Sequence, residues 1–302
     1  MSEIKIFLPS DNNYAPFVAT TIAGICVNTS SDVDFYVLDG GITEENKEKI
    51  KELNAQFKNF SVEFLRVDVD KYFKDFVCPA QFTKSTYNRF LLPRLKPEIG
   101  KILYLDSDIV VNGDIKELFD IDLGRYLMAA VPENCSADPV ILECYNRLGL
   151  SKGHKYFNAG VMLLDNKKWI ENGIDKKLFE TELQYRDRIL WADQDVLNVV
   201  FDNNYKPLDE KYNWMTHKNS SNPDALIRHY NTYIKPWNLN PELKTSIISN
   251  IEDFWFYLKY TPFYETVLDK VKDINEQKSF LMKLRMEKMR QKMTIQKGAN
   301  DA

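Results

Sequence analysis

The segment Lys101-Ile102-Leu103-Tyr104-Leu105 is an apolar run that stops at two carboxylates, Asp106 and Asp108, with Ser107 between them. A strand without alternation is buried on both faces, so the segment predicts a sheet covered by helices on each side. In open sheets of that kind ligands bind beyond the carboxyl ends of the strands, where the two aspartates stand. Residues two apart on an extended chain share a face and lie roughly 6–7 Å apart at Cα, so both carboxylates reach one hard cation. That is the geometry of a metal-phosphate site; the plainer reading is a pair of solvated turn acids.

The tripeptide alone does not single this place out, because Asp-x-Asp recurs at Asp32/Asp34, Asp68/Asp70, Asp120/Asp122 and Asp193/Asp195. The first of these precedes a strand, the second closes a half-exposed alternating strand, and the third lies in a loop. Only Asp106/Asp108 caps a continuous apolar strand near the middle of a βα succession.

The succession begins at the N-terminus. Residues 4–8 read as a buried strand, followed by the polar turn Ser10-Asp11-Asn12-Asn13 and a helix through Phe17, Ile22 and Ile25. Residues 34–38 predict a second strand, 43–58 an amphipathic helix with Thr43 as N-cap and acids in its first turn, and 62–67 a third strand. This opening implies a parallel sheet of the nucleotide-binding kind. Its first βα turn lacks the glycines of a dinucleotide fingerprint, which disfavours a Rossmann dehydrogenase. Further on, 85–92 reads as a helix carrying Arg89, 127–131 as a strand, and Trp191-Ala192-Asp193-Gln194-Asp195 leads into a helix over 196–201. In Phe157-Asn158-Ala159-Gly160-Val161 a polar residue and a glycine interrupt an apolar run, the mark of a bulge or a close backbone approach. Beyond Pro241 the pattern is helical. The aromatic run Phe254-Trp255-Phe256-Tyr257 reads as core.

With 302 residues and 44% apolar content, the chain suits one large α/β domain, alone or with an appendage. A formal net charge of −4 argues against a generic nucleic-acid partner. Cys26, Cys78, Cys135 and Cys144 are widely spaced, fit no zinc-ribbon pattern and read as free thiols of a reducing cytosol. The N-terminus has no long apolar segment, and no stretch approaches the roughly 18 apolar residues of a membrane span. A cytoplasmic protein, or one held on the membrane from that side, is expected.

Six short segments then fall in one order over residues 4–240: Ser10-Asp11-Asn12-Asn13-Tyr14, Thr86-Tyr87-Asn88-Arg89, Tyr104-Leu105-Asp106-Ser107-Asp108, Tyr156-Phe157-Asn158-Ala159-Gly160-Val161, Asp193-Gln194-Asp195, and His229-Tyr230 with Lys235-Pro236-Trp237. As an ordered set they resemble the retaining glycosyltransferases of family eight, which include bacterial lipopolysaccharide galactosyl- and glucosyltransferases and glycogenin. The resemblance implies the GT-A fold, an α/β architecture with a Rossmann-like central mixed sheet. It places a catalytic domain over 1–240 and a helical C-terminal extension over 241–302. It also implies a UDP-hexose donor and Mn²⁺ or Mg²⁺, held by Asp106, Asp108 and His229. Carboxylates and an imidazole suit such an ion. Asp11, Asn13 and Tyr14 would form the nucleotide pocket, with Arg89 and Ser107 also on the donor. Asn158, Asp193 and Gln194 would hold the sugar, and Lys235 would offset charge on the departing diphosphate. Asp193, Gln194 and Lys235 are the catalytic candidates by this resemblance.

Each residue has a plainer alternative. Asp11 and Tyr14 make an Asx-turn with a packed ring, Arg89 and Lys235 are surface residues, Asp193 is a helix N-cap, and His229 is a packed core histidine. His154 and His217 match no segment of the set and read as surface or core. Many relatives carry His-x-x-Gly-x-x-Lys-Pro-Trp, and Thr232 stands at the glycine position, where a β-branch restricts close approach of backbone to a diphosphate. Glu133 falls where relatives place an acidic acceptor contact, and 136–155 is expected to help cover the acceptor side.

The activity expected is transfer of glucose or galactose from a UDP-sugar to a glycan or glycolipid hydroxyl. An amide such as Gln194 is a poor nucleophile, which favours same-face displacement over a double displacement. A nucleotidyltransferase and a non-catalytic nucleotide-sugar-binding protein are the alternatives. Residues 279–293, as a helix, align Met282, Met286, Met289 and Met293 between basic residues, so a peripheral membrane contact through this tail is a further expectation. Packing of the same stripe on the catalytic domain is the alternative.

Overall fold

The computed structural model describes residues 4–80, 82–133, 139–216, 222–232, 235–239 and 250–271. The first half runs β1 (Ile4–Ser10), α1 (Ala15–Asn28), β2 (Val33–Asp39), α2 (Glu44–Lys51), β3 (Phe60–Arg66), α3 (Val69–Phe73), α4 (Leu92–Leu95), β4 (Lys101–Leu105), β5 (Ile109–Val111) and α5 (Lys116–Phe119). The second half runs β6 (Met128–Pro132), α6 (Pro139–Leu148), β7 (Phe157–Asp165), α7 (Asn166–Glu171), α8 (Ile174–Tyr185), α9 (Ala192–Val200), β8 (Lys206–Pro207), β9 (Trp214–Met215), β10 (Ile227–His229), α10 (Ile251–Leu258) and α11 (Tyr264–Val271).

Among the described residues, seven strands form one sheet in the order β3-β2-β1-β4-β7-β6-β8, and β5-β10-β9 form a second. The βαβαβ opening is parallel, as its pattern requires, and β4 adds parallel to β1 with Phe7 opposite Tyr104. β7 then enters antiparallel between β4 and β6, which makes the sheet mixed. The continuous burial of β4 follows from this central position: Leu103 and Leu105 join the core on one face, Ile102 and Tyr104 the core on the other. The register between β6 and β7 shifts between Ala130 and Pro132, the bulge expected near Asn158.

Two helix expectations are corrected. The helix read over 43–58 has its Thr43 cap, with Thr43 Oγ1 accepting from Asn46 N, but its α portion ends at Lys51 and tightens into the 3₁₀ turn Glu52–Ala55. Tightening of this kind satisfies orphan carbonyls at a helix end. The helix read over 85–92 is a 3₁₀ helix, Lys84–Leu91, that runs into α4. Pro93 has no N–H to donate back to the preceding turn, which works against a continuous α-helix through Arg89.

Two consequences place the site. Asp106 N donates to Gly160 O at 2.8 Å, so the end of β4 meets the start of β7. After Asp108 the chain leaves the main sheet, and β5 pairs with β10 so that Ile109 lies opposite His229. α10 is fastened behind this second sheet, against α1 and β5. Phe254, Trp255 and Tyr257 are buried there, whereas Phe256 remains 51% exposed. Asp253 Oδ2 accepts from Asn112 Nδ2 at 3.0 Å and from Arg228 Nε, so one carboxylate of α10 ties β10 to the residue just after β5. The tail over 279–293 lies outside the described residues. No helix among those described is long and apolar enough to cross a membrane.

Candidate active site

Asp106, Asp108 and His229 converge from β4, the turn after it and β10, with one ligand atom of each within 4.8 Å of the others. His229 Nε2 lies 3.2 Å from Asp108 Oδ1 and 3.8 Å from Asp106 Oδ2. Two oxygens and an imidazole nitrogen are a donor set suited to Mn²⁺ or Mg²⁺. Gly160 leaves room for them. A Cβ there would stand 2.8 Å from Asp106 Oδ2 and 2.9 Å from His229 Nδ1, closer than real Cβ contacts come. The close backbone approach signalled by this glycine is thus to the candidate ligands themselves, whose converging carboxylates and imidazole are the donor chemistry that a small hard cation takes.

Cations flank the carboxylates. Lys235 Nζ is 2.6 Å from Asp108 Oδ2 and donates to Tyr230 O. Burial alone raises the Asp108 carboxyl, yet the Lys235 charge and the His229 ring beside it hold it well below the usual carboxylate range. Arg89 is buried rather than on the surface, with Nη2 donating to Asp106 Oδ1 at 2.9 Å and Nε 2.8 Å from Asp193 Oδ2. Its guanidinium lies 4.4 Å from the centre of the Tyr104 ring, whose hydroxyl donates to Asp106. Arg89 therefore ties Asp106 of the candidate ion site to Asp193, a candidate sugar contact.

Asp193 is buried as well, and Thr86 Oγ1 donates to its Oδ1. Burial pushes this carboxyl up to about 6, against the pull of Arg89 and Thr86. The N-cap alternative for Asp193 is corrected: α9 begins at Ala192, Trp191 stands at the cap position, and Asp193 lies in the first turn. The reach-back role falls to Asp195, whose Oδ2 accepts from Leu190 N at 2.8 Å and Trp191 N at 2.9 Å. Tyr156 OH and Arg147 Nη1 also donate to Asp195, at 2.7 and 2.9 Å, which fastens α9 to α6.

Around Gln194 the hydrogen-bond donors are neutral amides. Its Oε1 accepts from Ala159 N at 3.1 Å and from Asn158 Nδ2 at 3.2 Å. Asn158 Nδ2 also donates to Glu133 Oε1 at 3.1 Å, which brings the candidate acceptor-side acid to the same cluster. Asn213, which the sequence reading missed, is fully buried and touches both ends: its Nδ2 lies 2.8 Å from Asn158 Oδ1 and its Oδ1 3.0 Å from His229 Nδ1. No spacing pattern marks it, because its partners are 55 and 16 residues away.

The remaining candidates line the first βα turn. Asp11 Oδ1 accepts from Asn13 N at 2.8 Å and Tyr14 N at 3.0 Å, so the Asx-turn is present, and it starts α1. Burial, with Asp108, Asp11 and Asp106 adding to it, pushes the Tyr14 hydroxyl up to about 12. Trp237 packs 6.0 Å from Tyr14 and stacks on Phe17, and so places the segment after Lys235 against the same helix. Ser107 Oγ donates to Pro9 O and ties the end of β4 to the end of β1. Thr232 is half-buried. His154 is a core residue, bonded to Asn198 Oδ1 and Asn203 N, and Cys26, Cys78 and Cys144 are free thiols. His217, Cys135 and residues 136–138 of the acceptor-side segment lie outside the described residues.

Residues 5–240 match the description of glycosyl transferase family 8. The chain is 30% identical over 264 residues to glycosyltransferase GlyF of Streptococcus pneumoniae, an alignment covering 83% of this chain and 60% of GlyF. It thus spans less than two thirds of that relative. It is 26% identical over 282 residues to the lipopolysaccharide 1,2-glucosyltransferase of Escherichia coli, covering 88% of this chain and 80% of that enzyme. The crystal structure of the galactosyltransferase LgtC with donor and acceptor sugar analogs superposes with a TM-score of 0.73 at 25% identity, over 86% of this chain and 96% of LgtC. The fold held in common is of the GT-A type. With the family description matched across the six ordered segments and this fold beneath them, the chain belongs to glycosyl transferase family 8.

Proposed function

We propose that the chain is a metal-dependent, retaining hexosyltransferase that moves glucose or galactose from a UDP-sugar to a hydroxyl of a glycan or glycolipid. The observation that carries this reading is the convergence of Asp106, Asp108 and His229 beside Lys235 on one side and the amide cluster of Asn158 and Gln194 on the other. Membership of family 8 supports it. The three ligands would hold Mn²⁺ or Mg²⁺, which when bound supplies positive charge to the donor's diphosphate and to the departing UDP.

The chain's own residues do the rest by position. Tyr14 offers a ring to the base, with Asp11 and Asn13 at the same turn. Arg89 bridges Asp106 and Asp193. Asp193, Asn158 and Gln194 offer hydrogen bonds to sugar hydroxyls, and Lys235 meets charge that develops on the leaving group. Both hydrogen bonds accepted by the Gln194 carbonyl come from the protein, which disfavours attack by that oxygen and favours same-face displacement. Glu133 stands on the acceptor side. The lipid-linked form of the acceptor, and a cytoplasmic enzyme peripheral to the membrane, rest on the basic stripe over 279–293. We take 1–240 as the catalytic domain and 241–302 as its extension.

Incubation with a panel of UDP-sugars and Mn²⁺, with and without glycan acceptors, tests the reading. Release of UDP from UDP-glucose or UDP-galactose and an α-linked product, read from the anomeric proton coupling, are expected. No release from any UDP-hexose, or a β-linked product, would overturn it.

A further inference from the structure

The amides between the sugar end and His229 all point one way, and two backbone N–H groups of β7 set the direction. A backbone N–H only donates. Gly160 N, 2.9 Å away, therefore makes the facing atom of Asn158 its carbonyl oxygen. The same Asn158 oxygen lies 2.8 Å from Asn213, which must turn its NH₂ group there and its own carbonyl the other way. That carbonyl meets His229 Nδ1 at 3.0 Å. Since a carbonyl only accepts, Nδ1 carries the hydrogen and Nε2 is the nitrogen that faces Asp106 and Asp108.

We propose that Asn213 is a positioning residue that fixes the hydrogen of His229 on Nδ1 and so reserves the Nε2 lone pair for the ion. The inference deepens the proposed function and rests on its reading of the triad as an ion site. Three features hold the arrangement before any ion arrives. Asn213 and His229 are both buried, so water does not substitute for the missing partner. The ring sits in the space left by the absent Cβ of Gly160. Asn158, through Nδ2, continues the same series to Gln194 and Glu133, so the ion ligand and the sugar shell share one chain of hydrogen bonds. Hydrogen-bond partners of a ligating histidine set its tautomer and raise its basicity, and Asn213 is the only side chain recorded at Nδ1 among the described residues.

The direct test is the long-range ¹H–¹⁵N spectrum of the histidines in the intact protein. The His229 signals would be assigned by comparison with His154→Gln and His217→Gln. Nδ1 should carry the shift of a protonated nitrogen. A neutral ring with its hydrogen on Nε2 and a bare Nδ1 would overturn the proposal, whether or not an ion binds. In parallel, Mn²⁺ affinity is measured without donor by electron paramagnetic resonance. Asn213→Ala should weaken it about 10- to 100-fold. Asn158→Asp keeps an acceptor facing Asn213, and so should hold Mn²⁺ at least as tightly as the wild type even where transfer is lost. A folded Asn213→Ala protein with wild-type Mn²⁺ affinity would sink the role of Asn213. A wild type that binds no Mn²⁺ contradicts the ion-site reading instead, and the tautomer still decides the place of the hydrogen.

Discussion

At the candidate metal end of the site, Asp106, Asp108, Lys235 and Arg89 face one another as charges around His229, with the Asp106 and Asp108 side chains 23% and 15% exposed. At the proposed sugar end, Asn158, Gln194 and Asn213 are neutral amides fixed by hydrogen bonds to the backbone and to each other. The difference is one of tolerance. A Coulomb interaction fades gradually with distance, whereas a hydrogen bond loses most of its strength with a modest error in angle. The metal end is accordingly assembled from strand ends and a loop, β4, β10 and the segment of Lys235, and the sugar end from amides pinned to consecutive N–H groups of the buried strand β7. The metal end also takes support from outside the main sheet, through Asp253 of α10, while the sugar end is anchored within it and by Asp195 at the start of α9.

The largest effect should come from removing a charge at the metal end. Asp108→Asn keeps the shape but removes the carboxylate that meets both Lys235 and His229, and several kcal/mol of lost charge stabilisation lowers turnover by about 10³-fold or more. Gln194→Ala, at the other end, should cost about 10²-fold while leaving Mn²⁺ affinity intact. Equal losses of turnover and of metal affinity in both variants would erase the distinction between the ends.

Gly160 lies on the boundary, so it is where the two ends should fail together. An added Cβ in Gly160→Ala displaces Asp106 Oδ2 and the His229 ring, and Mn²⁺ affinity should fall about 10- to 100-fold, the range found when groups that orient metal ligands are disturbed. Wild-type affinity in this variant would show that the ligands have more room than the backbone of β7 allows.

Asp253→Ala sharpens the comparison from behind. It leaves the buried Arg228 guanidinium without its carboxylate, and a loss of about 1–3 kcal/mol in unfolding free energy is expected by chemical denaturation. Metal affinity should fall with it and donor-sugar discrimination should not. An unchanged Mn²⁺ titration would mean that α10 covers the second sheet without bracing it.

The smallest effect lies beyond both ends. His154 is held below its ordinary pKa by burial, with Asn198 and Asp202 pulling the other way. The neutral ring therefore favours the folded state: its contribution is complete above the unfolded pKa of about 6.5 and is lost as pH falls through the lower folded value. Thermal unfolding at about pH 7.5 and about pH 5.5 should show a larger drop for the wild type than for His154→Gln. Asp193, raised by burial, acts in the opposite direction but is present in both proteins and cancels.

The same contrast explains what was legible in the sequence. Two acids at the end of a strand as apolar as Lys101–Leu105 have few structural reasons to be there, and the other Asp-x-Asp pairs turn out to have such reasons. Asp68 caps α3, Asp34 pairs with Lys5, Asp122 closes a turn at Gly124, and Asp195 holds the start of α9. The βαβαβ opening fixes the parallel half of the sheet by local pattern. The antiparallel entry of β7 leaves no mark in its own residues, since a strand buried on both faces reads the same in either direction. Asn213 was invisible for a related reason: an asparagine after a 3₁₀ turn is an ordinary turn residue until its contacts with Asn158 and His229 are seen. Over a segment as short as the one carrying Arg89, the apolar pattern does not separate an α-helix from a 3₁₀ helix.

The central claim is that Asp106, Asp108 and His229 hold a divalent ion that receives the nucleotide of the donor. Calorimetric titration of UDP into the wild-type protein, with Mn²⁺ and then with excess chelator, tests it most directly, with Asp108→Asn as the second arm. The account predicts tight UDP binding only when both the ion and the Asp108 carboxylate are present. UDP binding of equal strength in chelator, or in Asp108→Asn, would contradict it.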